Sequence, residues 1–162
     1  MDKALKKLAI DEFAKLIEQN LPGFQPYSEK NRHLVPGERV WINETTFGDV
    51  SLFAIFSPED KGRDQFTIEL GWSRMRRFPQ LGRRPSLAFK SDFESCYERA
   101  EAITRLSYLT GEKEWIDINK ENVKAVMLEQ INSLASIGIR FLSGVVGSNG
   151  KGWRQSCGTE AV

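Results

Sequence analysis

Phe66, Ile68, Leu70 and Trp72 alternate with Thr67, Glu69 and Gly71. Successive side chains of a strand point to opposite faces of a sheet, so this period of two gathers the four apolar groups on one side. The opposite side is expected to meet water. Two further runs read as strands: Val40 and Ile42 flank Trp41, and Val50, Leu52, Ala54 and Phe56 alternate with Ser51, Phe53 and Ile55. The connectors over residues 45–49 and 57–64 are short and rich in Thr, Gly, Pro, Asp and Lys. A parallel pair needs a crossover of about a dozen residues or more, so these connectors specify antiparallel hairpins and a meander.

Helical spacing brackets the meander. Over residues 2–20, Leu5, Leu8, Phe13, Leu16 and Ile17 recur on one face, with Leu21 beyond them and Lys6, Lys7, Lys15 and Glu18 between. Pro22-Gly23 ends this helix, because proline breaks the hydrogen-bond ladder and glycine accepts a left-handed cap. A polar connector follows over 25–33. Beyond the meander lie a short run at 86–89 and a capping box, Ser91 with Glu94, with Asp92 in the first turn. Residues 93–109 suit a helix by their alanines and charges, with a strand over 102–108 as the alternative. Residues 115–118 read as a short strand. Asn119 is placed to cap a second long helix with a stripe of Val123, Val126, Met127, Ile131, Leu134 and Ile137; Gly138 breaks it, and 139–146 add a turn or two. Strands grouped together instead of alternating with helices define an α+β class: an antiparallel meander sheet with an N-terminal helix and a long C-terminal helix packed on one face. The open face is the natural binding surface. A single domain is expected over 1–146, followed by a flexible Gly-rich tail over 147–162. A chain of 162 residues is long enough to bury roughly 70% of its unfolded surface without staples.

Charge is distributed unevenly. The whole chain carries 23 Lys and Arg against 22 Asp and Glu, yet Arg74, Arg76, Arg77, Arg83, Arg84 and Lys90 follow one another after Gly71 with no carboxylate before Ser91. Such a loop attracts phosphate, an acidic protein face or the protein's own acids. Asp92, Glu94, Glu98 and Glu101 follow closely, so self-neutralisation or a plain solvated loop is the first reading to set against any external partner. Among external partners, an acidic protein ranks first, with Arg74, Arg76, Arg77, Arg83 and Arg84 as contact cations. The alternative is single-stranded nucleic acid, with Trp72 and Phe78 as stacking faces beside the same arginines. A net charge of only +1 weighs against it. A third reading is an enzyme acting on an anionic substrate with a carboxylate as base.

No catalytic residues, metal ligands or cofactor are assigned from the sequence. His33, beside Arg32 in a polar connector, lacks a local partner for base catalysis. One histidine with Cys96 and Cys157 does not fill a four-ligand zinc site, nor do two cysteines make a disulfide framework. Residues 144–152 imitate a phosphate loop but carry Val145 where the first glycine belongs and Gly152 after Lys151. Glu44, Asp49, Glu59, Asp60, Asp64 and Glu69 show no paired spacing. Glu69, on the polar side of its strand, is placed to meet an arginine of the loop. Trp153 either folds back onto the domain or anchors a partner. The opening residues show no uninterrupted apolar leader, and no stretch approaches the ~20 apolar residues of a membrane span, so a cytoplasmic protein is expected.

The order of features has one further implication. An amphipathic helix, Pro22-Gly23-Phe24, Val40-Trp41-Ile42, the strand at 66–70, Trp115-Ile116-Asp117-Ile118 and a long helix ending in Phe141-Leu142 succeed one another. This arrangement resembles a group of small bacterial α+β proteins of unknown function, some of them thought to be immunity or defence-associated proteins. The resemblance implies a bacterial setting and a protein-binding, inhibitor-like role, and brings no site residues with it. The arginine loop and Gly-rich tail have no counterpart in that group.

Overall fold

The computed structural model describes residues 1–28, 34–44, 50–75, 77–81, 84 and 101–147. Helix α1 (Lys3–Asn20) starts at Asp2, whose carboxylate accepts the Leu5 N–H at 3.2 Å, and gives way to Gly23 at φ 92°. The strands are β1 (Gln25–Pro26), β2 (Arg39–Asn43), β3 (Ser51–Pro58), β4 (Gln65–Ser73), β5 (Glu101–Arg105) and β6 (Ile116–Asp117). Each is antiparallel to its neighbours, in the order β1-β2-β3-β4-β5. β5 and β6 divide one edge of β4 between them: β5 pairs with 69–73 and β6 with 65–66. The expected meander and its α+β class are therefore present.

Two local expectations change. Glu101–Arg105 is a strand, and the chain turns directly into helix α2 (Leu106–Thr110), so the strand alternative holds for only the first part of 102–108. Gly71 permits this pairing. A Cβ there would lie 2.6 Å from the Ala102 carbonyl oxygen, closer than backbone can yield. The run at 86–89, the capping box and residues 93–100 lie outside the described residues.

Gly138, expected to end the C-terminal helix, does not. Helix α3 (Val123–Ser133) passes through a π turn (Leu134–Gly138) into helix α4 (Ile139–Gly147). The side-chain oxygen of Asn119 accepts the N–H groups of Glu121 and Asn122 at 2.9 and 2.8 Å, capping the turn that leads into α3. The buried stripe continues through the π turn at ordinary helical spacing. Val123, Met127, Ile131 and Leu134 are followed inward by Gly138, Phe141 and Leu142, and Ile137 is left 41% exposed. Without a side chain, Gly138 lets the helix lie close to Leu70 of β4 and Leu106 of α2.

The helix-facing side of the sheet forms the larger core. Trp41, Leu52, Ala54, Phe56, Phe66, Ile68, Leu70 and Trp72 pack with α1, which also contacts α3. The Phe13 ring meets Trp41 edge-on at 4.9 Å and Phe56 at 5.7 Å. The other side, expected to be open to water, is covered. Thr67, Glu69, Gly71 and Ser73 are all buried. Val40, Ile42, Phe53, Ile55 and Ile103 form a second apolar cluster, into which Phe78 inserts, with Tyr27, Leu34 and Leu81 around it. Phe53 and Ile55 occupy the face opposite Leu52 and Ala54, so β3 is apolar on both sides and needs a second cover. Among the described residues no helix is long and apolar enough to cross a membrane.

Candidate functional site

The covered face is held by charge as well as by apolar contact. Strand pairing sets Ser73 opposite Glu101 and Glu69 opposite Arg105 on this face. Past the end of β4, the Met75 N–H donates to Ser73 Oγ at 3.1 Å, which turns the chain back over the sheet. Arg77 then meets Glu101 with both terminal nitrogens, Nη1 at 3.1 Å from Oε2 and Nη2 at 3.4 Å from Oε1. Glu101 also accepts from Ser73 Oγ at 3.3 Å and the Gln80 N–H at 3.4 Å. One carboxylate thereby fastens both arms of this turn. Phe78, fully buried, meets the Phe53 ring edge-on at 5.4 Å.

Arg84 makes the second attachment. Its Nη1 and Nη2 each lie 3.1 Å from a different oxygen of Glu38, the two-pronged geometry that suits a planar guanidinium. Nη2 also donates to Glu69, and the guanidinium sits 5.3 Å from the centre of the Phe78 ring. Glu38 accepts in addition from the Val35 N–H at 2.8 Å and Ser57 Oγ at 3.1 Å. On the far side of Glu69, Arg105 Nε approaches to 3.7 Å; Arg105 also pairs with Glu114 and lies 5.3 Å from the Trp115 ring. A continuous line of alternating charge thus runs from the turn before β2, through the loop after β4, to the segment before β6.

Burial governs the electrostatics. The side chains of Glu38 and Glu69 are 1% and 5% exposed, and that of Arg84 13%. Loss of water pushes the Glu69 carboxyl up from its ordinary value; Arg84 opposes this, the nearby Glu38 carboxylate reinforces it, and Arg105 opposes it, with a net upward result. For Arg84, burial acts to lower the value, but the Glu69 and Glu38 carboxylates outweigh it and hold the guanidinium above its usual range. Buried pairs of this kind contribute little net stability compared with apolar packing, yet removing one partner is expensive because the other stays buried.

The residues singled out in the sequence therefore divide. Arg77 and Arg84 are tied to the domain's own acids, in line with self-neutralisation, and Glu69 does meet an arginine of the loop, in a buried setting. Phe78 is buried under the loop and Trp72 on the helix side, so neither ring is presented to a stacking base. Arg74 is half-buried and Met75 is 56% exposed. Arg76, Arg83, Lys90, Asp92, Glu94 and Glu98, together with His33, Cys96, Cys157 and Trp153, lie outside the described residues. Glu38 and Arg105 carried no sequence signal of their role. Glu38 lies 46 positions from Arg84, and the alternation of Glu101, Ile103 and Arg105 was masked by a helix-like composition. Among the described residues no three His, Cys, Asp or Glu side chains are grouped as metal ligands. Compared with known proteins, the chain matches no family model, no curated sequence and no solved structure.

Proposed function

We propose that this chain is a non-enzymatic binding protein that meets an acidic protein surface with the arginine-rich segment after β4. The observation that carries the reading is Met75: a large apolar side chain 56% exposed, set in sequence between Arg74 and Arg76, on a segment whose next cation is fastened to Glu101. A segment already held in place loses less freedom on binding than a loose one. A methionine thioether adapts to varied apolar hollows, and arginine and methionine are both enriched at protein interfaces. In this reading the arginines have two jobs. Arg77 and Arg84 hold the segment down, while Arg76 and Arg83, with Arg74 and Met75, supply the contact. Such charge complementarity speeds encounter and selects the partner. The role fits an immunity-like or inhibitor-like partner in a bacterial cytoplasm, as the resemblance to the small α+β group implies. The nucleic-acid alternative loses its stacking platform with the burial of Trp72 and Phe78.

The test is capture from the native host with wild-type protein and with Met75→Glu/Arg76→Glu/Arg83→Glu, which leaves Arg77 and Arg84 in place. The reading expects one acidic protein to be recovered by the wild type and lost with the variant, whose melting temperature stays close to wild type. Recovery unchanged in the variant removes the segment as the contact. Binding of single-stranded DNA that weakens steeply with salt would favour the nucleic-acid reading instead.

A further inference from the structure

Besides Tyr27, whose ring packs against Phe53 and Phe78, the second sheet face is covered by two stretches far apart in sequence, residues 34–38 and residues 77–81 with Arg84. Neither contains a helix or a strand. Their apolar hold is modest: Phe78 is the one fully buried ring they contribute among the described residues, with Leu34 and Leu81 partly buried beside it. The rest of the hold is ionic, and it converges. Glu38 binds its own turn through the Val35 N–H, strand β3 through Ser57, and the other stretch through Arg84. Arg84 continues the connection to Glu69 on β4. Lifting residues 34–38 or Arg84 breaks the Glu38–Arg84 fork, and loss of Arg84 strands the Glu38 and Glu69 carboxylates together. The helix-side core shares none of these bonds, because the sheet lies between.

We propose that these two stretches form a single latched strap, closed by Arg84 across Glu38 and Glu69, which opens as one unit while the helix-side core stays folded. Opening uncovers an apolar face made of Val40, Ile42, Phe53, Ile55 and Ile103. The strap is a low-stability cooperative unit of the kind that supplies moving parts in proteins. This inference stands apart from the binding reading, since the latch either exists or does not whatever the outer face of the loop contacts.

Native-state hydrogen exchange on the full chain tests it. The Val35 and Gln80 amides, closed by Glu38 and Glu101 respectively, report the two halves of the strap. They are expected to share one opening free energy, below that of the β3–β4 amides, although they lie 45 positions apart. Arg84→Ala should speed exchange of both by the same factor, on the order of a hundredfold or more. Ile131→Val, a mild change in the helix-side core, should speed the β3–β4 amides several-fold and leave Val35 and Gln80 unchanged. Different opening free energies for Val35 and Gln80, or an equal response of strap and core to Ile131→Val, would overturn the proposal. If Arg84→Ala does not fold, the wild type and Ile131→Val are enough to decide between these outcomes.

Discussion

Replacing Arg84 by alanine should cost far more than a surface arginine normally does. The substitution removes the three guanidinium hydrogen bonds to Glu38 and Glu69. It leaves two carboxylates whose side chains are 1% and 5% exposed. Breaking a buried pair from one side typically costs about 3–5 kcal/mol. Here the lower end applies, because both acids keep other partners: Glu38 retains the Val35 N–H and Ser57 Oγ, and Glu69 retains Arg105 at 3.7 Å. A loss of about 3 kcal/mol in a domain of this size lowers the melting temperature by roughly 6–12 °C. Urea unfolding followed by tryptophan fluorescence measures it, with near-ultraviolet circular dichroism reporting the aromatic packing of Tyr27, Phe53 and Phe78. A second substitution sharpens the test. In the wild type Glu69→Gln removes a buried charge but also deprives Arg84 of a partner, whereas in the Arg84→Ala background it removes only a stranded charge, so it should be more favourable in the variant than in the wild type. This difference between the two backgrounds is the mark of direct coupling. A loss under about 1 kcal/mol with an unchanged near-ultraviolet spectrum would refute the claim that this network holds the second face closed.

Three further outcomes follow from other parts of the fold. Gly71→Ala should destabilise by about 2 kcal/mol or more, because its methyl group would lie 2.6 Å from the Ala102 carbonyl oxygen; a urea midpoint at the wild-type value would show that β5 does not approach so closely. The Glu69 carboxyl is raised in the fold, so the folded chain binds that proton more tightly than the unfolded one; its contribution is whole below the unfolded value near 4.5 and is lost as pH rises through the folded value. The stability of the wild type relative to Glu69→Gln should accordingly fall as pH increases above about 4.5, and a difference that grows with pH would contradict the assignment. Ile137→Lys should change stability by no more than about 0.5 kcal/mol, whereas Phe141→Ala should cost about 3 kcal/mol or more; equal losses on thermal melting would mean that Phe141 does not face the core while Ile137 faces solvent.

Patterns that repeat within a few residues were legible from the sequence alone. The period of two in Phe66, Ile68, Leu70 and Trp72 forces a strand with a defined inner face, and short polar connectors force its neighbours to run antiparallel. The stripe from Leu5 to Ile17, with Asp2 before it and Pro22-Gly23 after it, delimits α1 almost to the residue. These follow from backbone geometry, which is local. The Gly138 expectation failed because a glycine weakens a helix without compelling it to end, and contact with Leu70 and Leu106 rewards continuing.

Tertiary structure alone decided what the arginine cluster is for inside the domain. A guanidinium responds to whichever carboxylate the fold brings within hydrogen-bond reach, and nothing near Arg84 in the sequence names Glu38 or Glu69. The same holds for the second face of the sheet. Phe53 and Ile55 show that β3 is apolar on both sides, but which segment covers them depends on where the chain after β4 turns, and that turn is set by contacts between Ser73, Glu101 and Arg77. Periodicity is written along the chain; electrostatic pairing is written across it, and only folding brings the two ends of such a pair together.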